Sequence, residues 1–310
     1  DKWSQSCRYI NTYGVHRKVM YEKLEFCPSC TKNKFKNKFI AKDSLVSQES
    51  FAIVECQKCK LLFTNPKPNN SRLAYYYNSD QYMSHNNKMN NILNLIYQII
   101  RNITKRQKIK LIKKYCNSGK LLDFGSGTGS FLKEAIKHFE IKGIEPNTQA
   151  IQRTNSLIKG HIYEHIDLLS RNDKFDVITM WHVLEHLPNL KFTINKIKER
   201  LSPKGHIFIA LPNPDSYDSG YYGANWAGYD VPRHLYHFNQ EAMLNFLKIC
   251  GLNLIDIKPM IFDSYYVSIL TERQLNNPYS FIKGLSIGYR SNQFAHANGQ
   301  FSSLLYIVNK

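Results

Sequence analysis

From Leu121 onward, short apolar runs alternate with stretches of helical periodicity. Leu121–Phe124, Ile141–Ile144, Phe175–Trp181 and His206–Leu211 read as strands, and Leu254–Ile257 and Ser303–Val308 add two more near the C-terminus. Such alternation predicts an α/β protein with a mostly parallel sheet covered by helices, whose strand ends share one edge where ligands bind. Upstream, Phe51–Val54 is one short apolar strand. Thr64-Asn-Pro-Lys-Pro-Asn-Asn then breaks regular structure, and the aromatic run Tyr75, Tyr76, Tyr77 and Tyr82 follows. Ile92, Leu93, Leu95, Ile96, Ile99, Ile100 and Ile103 fall largely on one helical stripe that leads into a basic helix, Lys105–Tyr115. The pattern divides the chain into an N-terminal module (1–70), a bridging helical segment (71–118) and a larger domain (119–310). A substrate-covering insertion is expected around 214–240.

Composition adds limits. In 310 residues, 43% hydrophobic and 21% charged is the make-up of a globular chain. No apolar run approaches the roughly 18–20 residues that span a bilayer, and no signal-peptide order opens the sequence, so a cytoplasmic protein is expected. The formal net charge of +18 is concentrated in Arg17–Lys42 and Arg101–Lys120, whereas Leu121–Leu190 is nearly balanced. This excess suits either solvated lysine-rich faces or a surface for polyanions.

Four of the seven cysteines form two pairs, Cys27-Pro-Ser-Cys30 and Cys56-Gln-Lys-Cys59. Two residues between thiolates let one turn aim both sulfurs at one ion, and two such knuckles complete a tetrahedral four-thiolate shell that favours structural zinc. Disulfide pairing is the alternative, and a reducing compartment disfavours it. Cys116 and Cys250, set among apolar neighbours, read as core residues.

Asp123-Phe-Gly125-Ser-Gly127-Thr-Gly129 follows a predicted strand and precedes a helical stretch, Ser130–Phe139. Its glycines allow tight turns and close ligand approach, with amides exposed at the helix start. At the end of the next strand stands Glu145, a carboxylate able to accept from both hydroxyls of a ribose. The GxGxG spacing with an acid two positions ahead resembles motif I of class I S-adenosylmethionine-dependent methyltransferases. That resemblance implies a Rossmann-like fold with a mostly parallel seven-stranded sheet, and Asp123, Phe124, Gly125, Gly127, Gly129, Glu145, Asp167 and Trp181 around the cofactor. Asp167 is the one expected at the adenine amine.

The resemblance extends through Phe175-Asp-Val-Ile-Thr-Met-Trp-His182-Val-Leu-Glu185-His186 and Leu201–Asn213. Ubiquinone-biosynthesis O-methyltransferases are similar here, with an acid where His182 stands, and some of them bind a divalent metal on that face. On a helix His182 would share a face with Glu185 and His186, as general base, substrate contact or metal site. A second polar segment, Trp226–Phe238, carries Arg233, expected to grip an anionic group, and His234 and His237, expected as proton acceptors. From Cys27 through Asp230-Val-Pro-Arg-His the chain resembles bacterial methyltransferases with an N-terminal zinc module, including sugar C-methyltransferases and relatives associated with surface polysaccharide. The expectation is methyl transfer to a small, possibly anionic acceptor, with a histidine as base. An RNA methyltransferase and a non-catalytic zinc scaffold are the alternatives.

Overall fold

The computed structural model describes residues 20–77 and 103–310. Most of the predicted bridging stripe, from Ile92 to Ile100, lies outside the described residues, as do Cys7 and Tyr82.

The N-terminal region opens with β1 (Tyr21–Glu22), which pairs antiparallel with β5 (Lys67–Pro68). Between them β2 (Phe35–Lys42), β3 (Ser50–Cys56) and β4 (Leu62–Thr64) form an antiparallel meander. Cys27 and Cys30 sit on the turn before β2, and Cys56 and Cys59 on the tight turn between β3 and β4. Helix Asn70–Tyr77 follows.

The larger sheet is built from β6 (Lys120–Phe124), β7 (Glu140–Ile144), β8 (Ile162–Tyr163), β9 (Phe175–Trp181) and β10 (Leu201–Pro212). The short β11 (Tyr236–His237) intervenes in sequence before β12 (Asn253–Pro259) and β13 (Ser303–Asn309). The sheet is seven-stranded, in the order β12-β13-β10-β9-β6-β7-β8. Strands β6 to β10 pair in parallel, while β13 runs antiparallel to both β10 and β12. This is the architecture that the resemblance implies.

Helices cover both faces, so the central strands are apolar on both. On one side Leu121, Val177 and Phe208 pack with Ile109 and Ile112 of helix 103–112. On the other, Leu122, Ile178 and Ile209 join Ile194 and Ile197 of helix Leu190–Arg200, and the same core continues into Leu61, Phe63 and Cys27. Cys250 is buried as expected, while Cys116 is half-buried, its thiol on the Ser118 carbonyl.

The N-terminal sheet is completed from far along the chain. Strand β11 pairs antiparallel with β4, setting Tyr236 opposite Phe63 and His237 opposite Leu62. Beside this seam lies Arg233, 1% exposed, whose guanidinium binds Asp230 through Nε and Nη2 and reaches Asp43 at 3.0 Å. Asp43 in turn accepts from the amides of Leu45, Val46 and Ser47, which shapes the turn between β2 and β3. The expected role of Arg233, gripping an anionic acceptor, is therefore corrected. Its charge is spent on two carboxylates inside the protein.

Removing one member of a buried ion cluster leaves its partners charged and unpaired, at a cost of about 3–5 kcal/mol. Arg233→Met is expected to lower the unfolding free energy by that order, measured by urea denaturation. An acceptor-gripping arginine would instead raise KM at unchanged stability.

Candidate functional site

The C-terminal edge of the parallel strands gathers the polar residues. After β6 the chain turns through Gly125, Gly127 and Gly129, all at positive φ (79°, 55° and 71°). At Gly125 a Cβ would stand 2.4 Å from Val183 Cγ2, and at Gly129 2.3 Å from Ile158 Cδ1, so the loop is wedged on both sides. Gly127 differs: nothing lies within 4 Å of where its Cβ would be, so its outer side is open. The helix expected over Ser130–Phe139 is a single turn, Leu132–Ala135, flanked by looser turns.

Asp123 is 2% exposed and accepts a hydrogen bond from Thr179 Oγ1 at 2.7 Å. Burial pushes its carboxyl up to about 6, against the pull of the Thr179 hydroxyl and the charge of Lys108. Glu145 accepts from the Gly127 amide at 2.7 Å and the Asn147 amide at 2.9 Å, tying β7 to the glycine loop. Trp181 closes the site from β9, edge-on to Phe131, with Lys108 Nζ 3.9 Å from its ring centroid. Its indole Nε1 is buried and makes no hydrogen bond, and the same holds for Ser126 Oγ. Phe124 is half-buried against the core.

Asp167 is corrected. It sits on a 3-10 turn, Ile166–Leu168, with its side chain 69% exposed and its carboxylate on Lys196 Nζ at 2.6 Å, so it is a surface ion pair rather than an adenine contact.

The helix expected over His182–His186 is also corrected. His182 adopts φ 57° and only Leu184–His186 form a 3-10 turn, so the two histidines do not share a helical face. His182 Nε2 reaches Asp263 at 3.0 Å, and its Nδ1 lies 3.7 Å from Glu185. Burial works to lower its pKa, but the two carboxylates prevail and push it up to about 9, so this imidazole is protonated at neutral pH. His186 turns the other way. Its Nδ1 contacts the Tyr77 hydroxyl at 2.8 Å and the Arg233 carbonyl at 3.1 Å, and burial, with the charge of His234, lowers it to about 4.

His234 places Nδ1 2.9 Å from the Gly228 carbonyl and Nε2 4.0 Å from Glu185 Oε1. Its ring stands edge-on to that of His186, centroids 4.5 Å apart. His237 is 4% exposed against the Tyr229 ring, and burial drives it down to about 3, which removes it from proton exchange at neutral pH. Glu185 is 1% exposed at the centre. Burial opposes its ionisation, yet the surrounding histidines hold its carboxyl below the usual range.

Three residues here escaped sequence reasoning. Lys108 belongs to a helix read only as basic, Asp263 opens helix Ile261–Gln274, and Tyr77 lies in an aromatic run with no chemical signal of its own. An open hollow lined by Gly119, His138, Glu140 and Asp176 lies at the opposite ends of the strands.

The four cysteines converge as their spacing predicts. Cys27 and Cys59 sulfurs are 3.5 Å apart, as are those of Cys30 and Cys56, and all four lie within 4.8 Å of one another. None is in a disulfide.

A family model described as a methyltransferase domain matches residues 96–257, just over half of the chain. The ubiquinone biosynthesis O-methyltransferase of Cupriavidus pinatubonensis is 25% identical over 180 residues, 52% of this chain and 72% of that protein. Its namesake from Pelagibacter ubique is 27% identical over 180 residues, 51% of this chain and 75% of its own length. Among solved structures, a SAM-dependent methyltransferase from Archaeoglobus fulgidus superposes with a TM-score of 0.45 and 20% identity, over 68% of this chain and 94% of its own. A glycine loop between parallel strands, an acid at the end of each of the first two, and the family match across them lead to one conclusion: this chain belongs to the methyltransferase domain family and is an S-adenosylmethionine-dependent methyltransferase.

Proposed function

We propose that the chain methylates a hydroxyl of a small molecule, a sugar or another precursor of a surface polysaccharide or secondary metabolite. The observation that carries this is the placement of the Glu185 cluster directly beyond the glycine loop, with Val183 packed on Gly125 between them. A donor seated on the loop would present its methyl group toward those side chains. The O-methyltransferase names of the relatives support an oxygen acceptor.

The residues present fit the methyl donor. The open side of Gly127, the orphaned Trp181 Nε1 and Ser126 Oγ, and the Glu145 carboxylate leave room and partners for a nucleoside. Each Glu145 oxygen retains a lone pair for a ribose hydroxyl. Asp123 and Lys108 bring opposite charges to one place, which suits the amine and carboxylate of a methionine end. S-adenosylmethionine, when bound, supplies a methyl group already activated by sulfonium, and the protein aligns an oxygen behind it and takes its proton.

That proton is handled within the Glu185 cluster. His237 is sealed and His182 is held protonated by its carboxylates, which leaves His186, kept neutral by burial, with a lone pair available and the His234 ring edge-on beside it. The segment 223–238, packed over this side through its contacts with β4 and helix Ile261–Gln274, favours an acceptor of small size. The cysteine cluster reads as a structural zinc site. Sulfurs 3.5 Å apart are close to the spacing that Zn–S bonds of about 2.3 Å impose on a tetrahedron.

An amine binds Asp123 best when its carboxyl is ionised. With that group at about 6, S-adenosylhomocysteine should bind about tenfold more weakly at pH 5 than at pH 7 and level off above, since protons compete below the pKa. Calorimetric titration across this range checks it, and Asp123→Asn should flatten the profile.

Methyl-labelled donor offered with nucleotide-activated sugars, phenolic hydroxyl compounds and RNA should label a small-molecule acceptor and leave RNA unlabelled. Transfer to RNA alone would move the chain to its alternative class.

Chelation without denaturant should make four thiols reactive toward a disulfide reagent beyond those that react before it, with loss of the fold over 20–68. A thiol count that chelation does not change would exclude zinc.

A further inference from the structure

The two helices between β12 and β13 are turned inside out. In a helix packed on the core of a water-soluble protein, large apolar residues face inward and polar ones outward. Helix Ser280–Asn298 instead buries Gly284, Gly288, Ser291, Asn292 and Ala295, together with Ile287. Helix Ile261–Gln274 buries Ser264, Ser268, Thr271 and Glu272. These small and polar faces are satisfied from within. A Cβ on Gly284 would stand 2.5 Å from Ile269 Cα and one on Gly288 2.7 Å from Tyr265 Cα, so the helices meet backbone to backbone. Ser291 donates to Asp218, Thr271 Oγ1 accepts from the Ala227 amide, and Glu272 accepts from the Tyr222 hydroxyl.

The large apolar side chains face out. Eight of the twenty large hydrophobic residues that are exposed among the described residues fall within 261–298. Ile282, Leu285 and Tyr289, at spacings of three and four, share one stripe of their helix, and Tyr279 precedes it; Tyr279 is 70% exposed and Ile282 69%. Tyr266 and Leu275 are exposed on the other helix and at its end. Apolar side chains gathered in this way mark a contact surface.

Charge identifies the partner. Both acids of 261–298 are turned inward, Asp263 to His182 and Glu272 to Tyr222. The exposed charges are Arg290 and Lys283, which also meets Glu272 at 3.1 Å, with Arg273 half-buried. A second copy of this face would bring cations and no outward acid to meet them. An anionic lipid surface supplies the opposite charge and takes the apolar stripe among its acyl chains. Small residues between helices and large apolar ones outside are also how helices arrange in lipid. No helix of the described residues is long and apolar enough to cross a membrane, so the pair lies along the surface. We propose that helices Ile261–Gln274 and Ser280–Asn298 dock this chain on an anionic lipid bilayer, with Tyr279, Ile282, Leu285 and Tyr289 seated at the headgroup boundary. Asp263 lies in the first turn of its helix and contacts His182, so docking holds the cleft within one length of that 14-residue helix, about 21 Å, of the headgroups.

The test floats the full chain, purified without chelator, with vesicles of phosphatidylcholine alone or mixed with phosphatidylglycerol. At least tenfold more protein should float with the mixed vesicles. Ile282→Ser combined with Leu285→Ser should lower that binding at least tenfold, and Arg290→Glu at least threefold. Leu244→Ser combined with Ile249→Ser, on the exposed side of helix Gln240–Cys250, should leave it within about twofold. An unchanged thermal unfolding midpoint shows each variant folded. Folded protein that does not float with the mixed vesicles overturns the proposal. So does flotation that the Ile282 and Leu285 changes leave unaltered, which assigns it to lysines elsewhere on the surface. A dimer that Leu285→Asp dissociates, without flotation, overturns it in favour of a second copy.

Discussion

Arg233 holds two carboxylates from distant parts of the chain, and the surroundings of Glu185 are arranged around it. Asp43 belongs to the turn between the first strands of the N-terminal meander, and Asp230 to the segment that follows β10. Fixing the guanidinium between them positions its neighbours. The Arg233 carbonyl meets His186, His234 follows directly in sequence, and the Leu235 amide donates to the Glu185 carbonyl at 2.8 Å. The Leu235 carbonyl accepts from the Thr64 amide in β4. One backbone stretch therefore bonds to the catalytic sheet's edge on one side and to the cysteine-bearing sheet on the other. The cysteine-bearing sheet is thereby tied through β4 to the backbone that carries His234. Ordering the turn between β3 and β4 orders β4, which orders His234.

The sheet and the cofactor loop were legible because their causes are local. Strands buried on both faces must be apolar throughout, as Leu121–Leu122 and Ile207–Leu211 are, and a GxGxG turn needs positive φ wherever it occurs. Two cysteine pairs at metal spacing carry the same kind of local information. What the sequence concealed depends on tertiary partners. A left-handed His182 is unfavourable in isolation and is held by its amide on the Ala210 carbonyl and its ring against Asp263 and Glu185, so a helical reading of 182–186 is the natural local inference. Arg233 reads as a ligand-binding arginine until Asp43, 190 residues away, is seen beside it. Asp167 has the right place in sequence, but the 3-10 turn aims it at Lys196.

Electrostatics gives the cleft a character opposite to that of the molecule. The chain carries +18 overall, yet Asp123, Glu185 and Asp263 are buried or half-buried around the strand ends, with Glu145 at the loop. Against them stand His182, held protonated, and Lys108, whose ammonium burial disfavours while Asp263 and Asp123 sustain it. Charges this enclosed are screened far less by salt than the surface lysines, so the local acids, not the net charge, decide what the cleft prefers. A sulfonium is a cation and the sulfide left after transfer is neutral. An acid-lined cleft accordingly holds the donor more firmly than the spent cofactor. The surface excess of lysine does not alter that preference, and it explains how a strongly basic chain accommodates a positively charged ligand.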